Sequence, residues 1–331
     1  MSRAAAVYEL SACELLAAYD GTEQHDVVNL DLDVSPATMD LIQTLAGCER
    51  SEVSACSLNI AYSHWLPDWV TRASPFWHTN EYRTESSDRI IPSFCAFCLL
   101  EDVEYGCSQY VRLSWYCALT TICPVHRVEL VTCCAERAIP SSVDVRHQTR
   151  CNRMRCIACR SLLDTRNRGV ASEAEVALAQ FEHILRNTIS KKPVSGTRRR
   201  SRCLRFAQDV AWALMRPVRG TRYRVAHSFE GSRFAMPFGF NTPVDVPDWL
   251  SCGSIILRRF LLSLVAALYY SDGSRESMSL AAKTHKQIWA ELRSKLSERD
   301  AAELQSRAVH WDLAMQDELD FYWLRNRNST G

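Results

Sequence analysis

Residues 94–134 read FCAFCLLEDVEYGCSQYVRLSWYCALTTICPVHRVELVTCC. Two knuckles stand 24 residues apart in this run, Cys95-Ala-Phe-Cys98 and Cys123-Pro-Val-His126. Zinc takes four soft or borderline ligands in a tetrahedron. A Cys-x-x-Cys turn offers it two thiolates, and a Cys-x-x-His turn a thiolate and an imidazole. Four protein ligands leave no open position for water, so the expected ion is structural rather than catalytic. Between and after the knuckles, 110–115 and 128–131 have the β-branched and aromatic content of short strands, which predicts a small zinc-ribbon unit over residues 91–165.

A second site is expected just downstream. Cys156-Ile-Ala-Cys159 forms another knuckle, preceded by vicinal Cys133-Cys134 and a single Cys151. Adjacent residues of an extended segment point to opposite sides, so Cys133 and Cys134 do not readily reach one ion together. The set is Cys134, Cys156 and Cys159, with Cys151, Cys133 or His147 as fourth ligand, and a metal-free second ribbon stands beside it as the alternative. Ten of the fifteen cysteines lie in 95–159, and seven of these (Cys95, Cys98, Cys123, Cys134, Cys151, Cys156 and Cys159) have the paired spacings of metal binding in a reducing compartment rather than of a secreted disulfide framework. Scattered thiols such as Cys117 and Cys203 read as small buried hydrophobes.

The flanks read as helical, giving a mainly α fold with small β elements at the ribbon. In residues 1–90, Ser35-Pro36 starts a helix with Met39, Leu41, Ile42 and Leu45 on its apolar faces and Gly47 at its end, and Ser51 caps a second. In residues 166–331, Ser172 and Glu175 form a capping-box pattern ahead of Val176, Leu178, Phe181, Ile184 and Leu185. A second helix is expected over 201–215, then an apolar helix over 255–270, a charged one over 279–296, and a last one after Ser297 carrying Leu304, Trp311 and Leu313. Trp115 is expected beneath the first knuckle, and His183 on a helix surface.

Charge is divided along the chain although the net is only +1. Residues 1–104 hold 17 Asp/Glu against 5 Lys/Arg, a balance of −12; residues 146–224 hold 19 Lys/Arg against 5 Asp/Glu, a balance of +14. Such a basic block beside a metal module is the footprint of a phosphate-binding surface. Its candidate DNA contacts are Arg150, Arg153 and Arg155 around the second knuckle and Arg198, Arg199, Arg200, Arg202 and Arg205 in the basic stretch 186–224, where 190–200 reads as a mobile linker. Arg216, Arg219, Arg222 and Arg224 continue that surface.

Other classes fit less well. A zinc deaminase or hydrolase needs an open metal position and a His-x-Glu beside a Pro-Cys-x-x-Cys, and no knuckle here has one. Residues 1–20 lack the form of a signal peptide, and the most apolar run, 255–268, is broken by Arg258 and Arg259 and falls short of the ~20 residues of a membrane span. A cytoplasmic chain with no membrane segment and no enzymatic activity is expected.

The run 94–134 resembles the TniQ family. The shared features are the Cys95/Cys98 knuckle, the tetrad Arg112-Leu113-Ser114-Trp115, the knuckle Cys123-Pro124-Val125-His126, and Leu130 four residues before Cys134. The likeness extends over about 30–215. The chain departs from the family at Arg137, where a second-ribbon cysteine is usual, and at Glu9-Leu10-Ser11, a weak match to an N-terminal Glu-Ser-Leu. The resemblance implies target-site selection for a prokaryotic transposon. The expected partners are DNA or an RNA-guided CRISPR effector complex, an AAA+ regulator and the transposase, with a homodimer as a further option. A zinc-ribbon transcriptional regulator is the alternative on the same residues.

Overall fold

The computed structural model describes residues 36–47, 49–55, 93–107, 109–131, 145–148, 153–156, 161–164, 173–190, 198–219, 221, 223–229, 255–270 and 279–323. Among these the fold is mainly helical. None of the described helices is long and apolar enough to cross a membrane.

The N-terminal helices are α1 (Pro36–Ala46) and α2 (Arg50–Ala55). Pro36 sits at the first helical position, where its missing N–H is no loss, and Gly47 at φ +61° ends α1, a conformation open to glycine without strain. α2 begins one residue before Ser51, because Glu49 serves as its cap: the Glu52 carboxylate accepts the Glu49 N–H at 2.8 Å.

The metal module departs from the expected ribbon. Its first knuckle opens directly into a helix, α3 (Ala96–Glu104). The run 110–115 is not a strand; Leu113–Tyr116 forms a 3-10 turn, since Trp115 must turn inward to be buried (1% exposed) and Ser93 holds the Trp115 carbonyl through both its N–H and hydroxyl, at 3.1 and 3.0 Å. Among the described residues of 93–131, strand pairing is limited to single bridges, Phe94 with Val131 and Ile122 with Glu129. A two-stranded antiparallel hairpin, β1 (Val145–Gln148) and β2 (Arg153–Cys156), follows with Val145 opposite Cys156. Buried Gln109 ties it to α3: its amide donates to the Leu99 carbonyl and to Asp164, and its oxygen accepts the Met154 N–H.

The remaining helices are α4 (Glu173–Ser190), α5 (Arg198–Leu214), α6 (Ile255–Tyr269), α7 (Ser279–Lys295), α8 (Glu298–Ala308) and α9 (Leu313–Trp323). α6 is apolar on nearly every side and therefore lies at the centre, against α4, α5 and α7. The single last helix expected after Ser297 is two helices. Ser297 caps α8 by accepting the Asp300 N–H at 3.1 Å, and Trp311 sits in the break before α9, fully buried, with its indole N–H on Asp209 at 2.9 Å. Trp323 is also core, whereas Phe321 is half exposed. His183 is exposed as expected, and Cys117 and Cys203 are buried.

The module is keyed into this bundle. Cys117, Ala118, Leu119 and Ile122 belong to the same apolar cluster as the bundle helices. Polar groups reinforce the joint: the fully buried Glu182 of α4 accepts the N–H groups of Thr121 (2.9 Å) and Ile122 (3.1 Å) and the Thr121 hydroxyl, Arg186 donates to Thr120, and buried Arg258 of α6 donates to the Ala118 carbonyl at 2.9 Å.

Candidate metal centre and basic surface

Cys95 ends the extended segment that bridges to Val131, and Cys98 follows within the first turn of α3. Cys123 and His126 lie on a tight turn closed by the Arg127 N–H on the Cys123 carbonyl (2.8 Å) and the Cys123 N–H on the Val128 carbonyl (2.7 Å). That turn places Arg127 at φ +56°, a left-handed position uncommon for a residue with a Cβ.

The four ligand atoms all lie within 4.8 Å of one another. Cys98 Sγ is 3.6 Å from Cys123 Sγ, and His126 Nδ1 is 3.3 Å from Cys98 Sγ, 3.6 Å from Cys95 Sγ and 3.7 Å from Cys123 Sγ. A tetrahedron with Zn–S of about 2.3 Å and Zn–N of about 2.0 Å has S–S edges of about 3.8 Å and S–N edges of about 3.5 Å. The observed edges fit it, and the donor set of three thiolates and one imidazole is one that zinc favours. The three cysteines are buried and His126 is partly buried.

Charge also calls for a cation. Three thiols this close cannot ionise together by themselves. Hydrogen bonding to Cys123 and Cys95, with burial, pushes the Cys98 thiol far up, and Cys123 also pushes Cys95 up; Cys123, which receives those hydrogen bonds, is held well below the usual thiol range. A bound divalent ion offsets most of that charge and lets all three stand as thiolates.

Around the ligands stands a second layer that the knuckle spacing did not reveal. His126 turns Nδ1 to the thiols and Nε2 to Glu101 Oε1 at 2.9 Å, the carboxylate–histidine–metal arrangement that fixes the tautomer and ring. Burial alone lowers the His126 pKa, but the Glu101 and Cys123 contacts outweigh it and the net shift is upward. Glu101 is three residues beyond Cys98, on the same face of α3, so its place was readable once the knuckle was known to be helical. Arg112 of the Arg-Leu-Ser-Trp tetrad pairs with both oxygens of Asp102 (2.7 and 2.8 Å), donates to the Cys98 carbonyl at 3.2 Å, and lies over the Tyr110 and Trp115 rings at 4.3 and 4.8 Å. The tetrad thus staples the 3-10 turn to the metal-bearing helix, and Trp115 packs beneath the site with Cys95, Cys98 and Cys123.

The second expected site is not described in comparable terms. Cys133, Cys134, Cys151 and Cys159 lie outside the described residues, as do the thiol of Cys156 and the ring of His147, although β2 ends on Cys156. Arg150 is likewise outside. Arg153 is engaged: it forms a two-pronged pair with buried Asp164 at 2.7 and 2.9 Å. Arg155 is half buried beside it. Arg198, Arg199 and Arg200 belong to the first turn of α5 rather than to a linker, as the good helix propensity of arginine allows; their side chains lie outside the description. Arg202 stands 4.0 Å from Asp312 and Arg205 is exposed. Further on, Arg224 is buried with its guanidinium on the Met215 carbonyl, and Arg216 pairs with Asp300, so these two are not part of an open basic face; Arg219 is exposed and Arg222 lies outside the described residues.

Residues 1–130 match the family model for TniQ. The match starts well before the likeness read from the sequence, at residue 1, and stops short of the second knuckle region. No curated protein matches the chain. The segment of this chain that carries Cys95, Cys98, Cys123 and His126 is thus a region of the TniQ family, a family associated with transposition.

Proposed function

We propose that the chain is a target-site selection and adaptor protein of a prokaryotic transposon, holding one structural zinc ion on Cys95, Cys98, Cys123 and His126. The observation that carries this reading is the closed Cys3His cluster inside the TniQ-matching segment, wedged into the helical bundle. A closed cluster does no chemistry on DNA, so function falls to the surfaces it holds. The basic start of α5 supplies a DNA-facing surface: three arginines stand there, at the helix end where the macrodipole disfavours cations and favours anions. The remaining surface recruits the AAA+ regulator and transposase, with a CRISPR effector complex as the route to targets that are not read directly.

The test is reconstitution of the full chain with duplex DNA and with the AAA+ regulator and transposase of its own element. Zinc at one or more per chain, salt-dependent DNA binding and retention of the regulator are expected. DNA binding without any regulator binding turns the assignment to a zinc-dependent transcriptional regulator. Folded protein free of zinc rejects the metal assignment.

A further inference from the structure

At the end of α5 the chain doubles back. Val218 N–H donates to the Tyr223 carbonyl at 2.7 Å, Thr221 N–H to the Val218 carbonyl at 3.0 Å, and the Thr221 hydroxyl accepts the Tyr223 N–H at 3.2 Å. This closed turn carries Arg219 outward. The start of α8 packs against it, and between them lies a cleft of about 580 Å³ whose walls include Arg216, Arg219, Thr221, Ser297, Arg299 and Asp300.

Three guanidinium groups and one carboxylate share this cleft. The carboxylate is fully engaged: Arg216 reaches Asp300 Oδ1 through Nε at 2.8 Å and Nη2 at 2.7 Å, while Oδ2 accepts the Ser297 hydroxyl at 2.7 Å. Asp300 is therefore neutralised, and it fixes Arg216 in the floor. Arg219 and Arg299 are both exposed, and neither forms an ion pair among the described residues. Two uncompensated guanidinium groups face one concavity with an excess of two positive charges. The Asp300 N–H is already capped by Ser297, so attraction for an anion rests on the guanidinium forks, whose planar donors match phosphate.

We infer that this cleft grips the phosphodiester backbone of duplex DNA, with Arg219 and Arg299 as contact residues and Arg216 as a positioning residue. The inference rests on the DNA-binding reading above and extends it to α8, about 75 residues beyond the basic block seen in sequence. It also sets a footprint. α8 runs back along α5, with Arg216 on Asp300 at one end and Arg307 on Asp209 further along, so the cleft lies at the opposite end of α5 from Arg198–Arg200. Seventeen residues at about 1.5 Å each separate the two points by about 25 Å, or about seven phosphates of one strand.

The experiment uses the zinc-loaded full chain and a labelled random-sequence duplex, with affinity followed across a salt series. Loss of two phosphate contacts in the double variant R219Q/R299Q lowers the slope of log K against log salt by about 1.8, at about 0.9 per phosphate. Zinc content and thermal midpoint stay at wild-type values, because both side chains are exposed, and R219K/R299K keeps most of the slope. A double-Gln variant with the wild-type slope overturns the cleft while leaving the DNA-binding reading intact. Wild-type protein that binds no duplex at any salt removes that reading and the cleft with it. Thermal stabilisation by pyrophosphate, lost in R219Q/R299Q but unaccompanied by a slope change, reassigns the cleft to a small phosphate ligand and also overturns the inference.

Discussion

Single residues decide how firmly the proposed zinc would be held and how the module responds to pH. Glu101 holds His126 Nε2 at 2.9 Å and so selects Nδ1 as the ligand atom. Removal of such an outer partner costs 10–100-fold in affinity, so Glu101→Ala is expected to weaken zinc binding by roughly that factor in a chelator competition, with one zinc still bound at saturation. A second residue, Glu182, sets a pH dependence. Burial pushes its pKa from 4.5 to about 7, although hydrogen bonds from Thr121 and Ile122 and the charge of Arg186 pull the other way. The folded protein therefore binds a proton that the unfolded chain has released between these values. The associated stability, on the order of 3 kcal/mol, is fully present below pH 4.5 and is lost as pH rises through about 7. Between pH 6 and 8 wild-type protein is expected to lose about 1 kcal/mol in denaturant titrations relative to Glu182→Gln, which carries no buried charge. Equal pH profiles for the two proteins remove Glu182 as the cause. That Cys95, Cys98, Cys123 and His126 come together was legible in sequence, because thiols and imidazole at such spacing have few other uses. Glu182 was not, since nothing local marks which acidic residue a fold will bury, and Glu101 is readable only once the first knuckle is known to open a helix.

At the level of elements, some helix ends were readable, although Glu49 rather than Ser51 caps α2, and packing was not. Pro36 and Gly47 at the ends of α1, and Ser297 before α8, are local devices set within a few residues, and the structure keeps them; Ser35 lies outside the described residues. The stretch 110–115 has strand-like composition, but Trp115 and Arg112 are fixed by groups far away in sequence, and a 3-10 turn is what lets both reach them. The break at Trp311 has the same origin: its indole N–H seeks Asp209 on α5, 102 residues earlier, and the helix gives way there. Ser297 offers a direct measure of one such device. Its oxygen caps the Asp300 N–H and its hydroxyl holds the carboxylate that orders Arg216. Ser297→Ala is expected to cost about 1 kcal/mol in equilibrium unfolding, with Ser297→Asp, which restores an acceptor oxygen, recovering part of the loss.

Among the described residues, the segment that carries Cys95, Cys98, Cys123 and His126 and the helical bundle form one structural unit. The strand-like bridge at Ile122 leads straight into Cys123, and the two residues before that ligand are held by Glu182 of α4, while α6 holds the Ala118 carbonyl through Arg258 and the Leu130 carbonyl through Arg259. Structural zinc is worth about 10–16 kcal/mol in small modules, as much as the entire net stability of an ordinary domain. Loss of the ion should therefore not stay local. Chelation is expected to raise hydrogen exchange first at the amides of 95–131, and then at the faces of α4 and α6 that meet 117–122, whose apolar contacts depend on the position of that segment. α8 and α9 touch the module through none of these bonds and are expected to retain protection longest. The distinction matters for function, because α5 begins with Arg198–Arg200 and packs on both α4 and α6. If exchange after chelation rises only within 95–131, the metal stabilises its own loop and the basic helix is independent of it. If α4 and α6 follow, one ion sets the geometry of the basic helix proposed above to meet DNA, and on that reading Cys98→Ser is expected to weaken DNA binding.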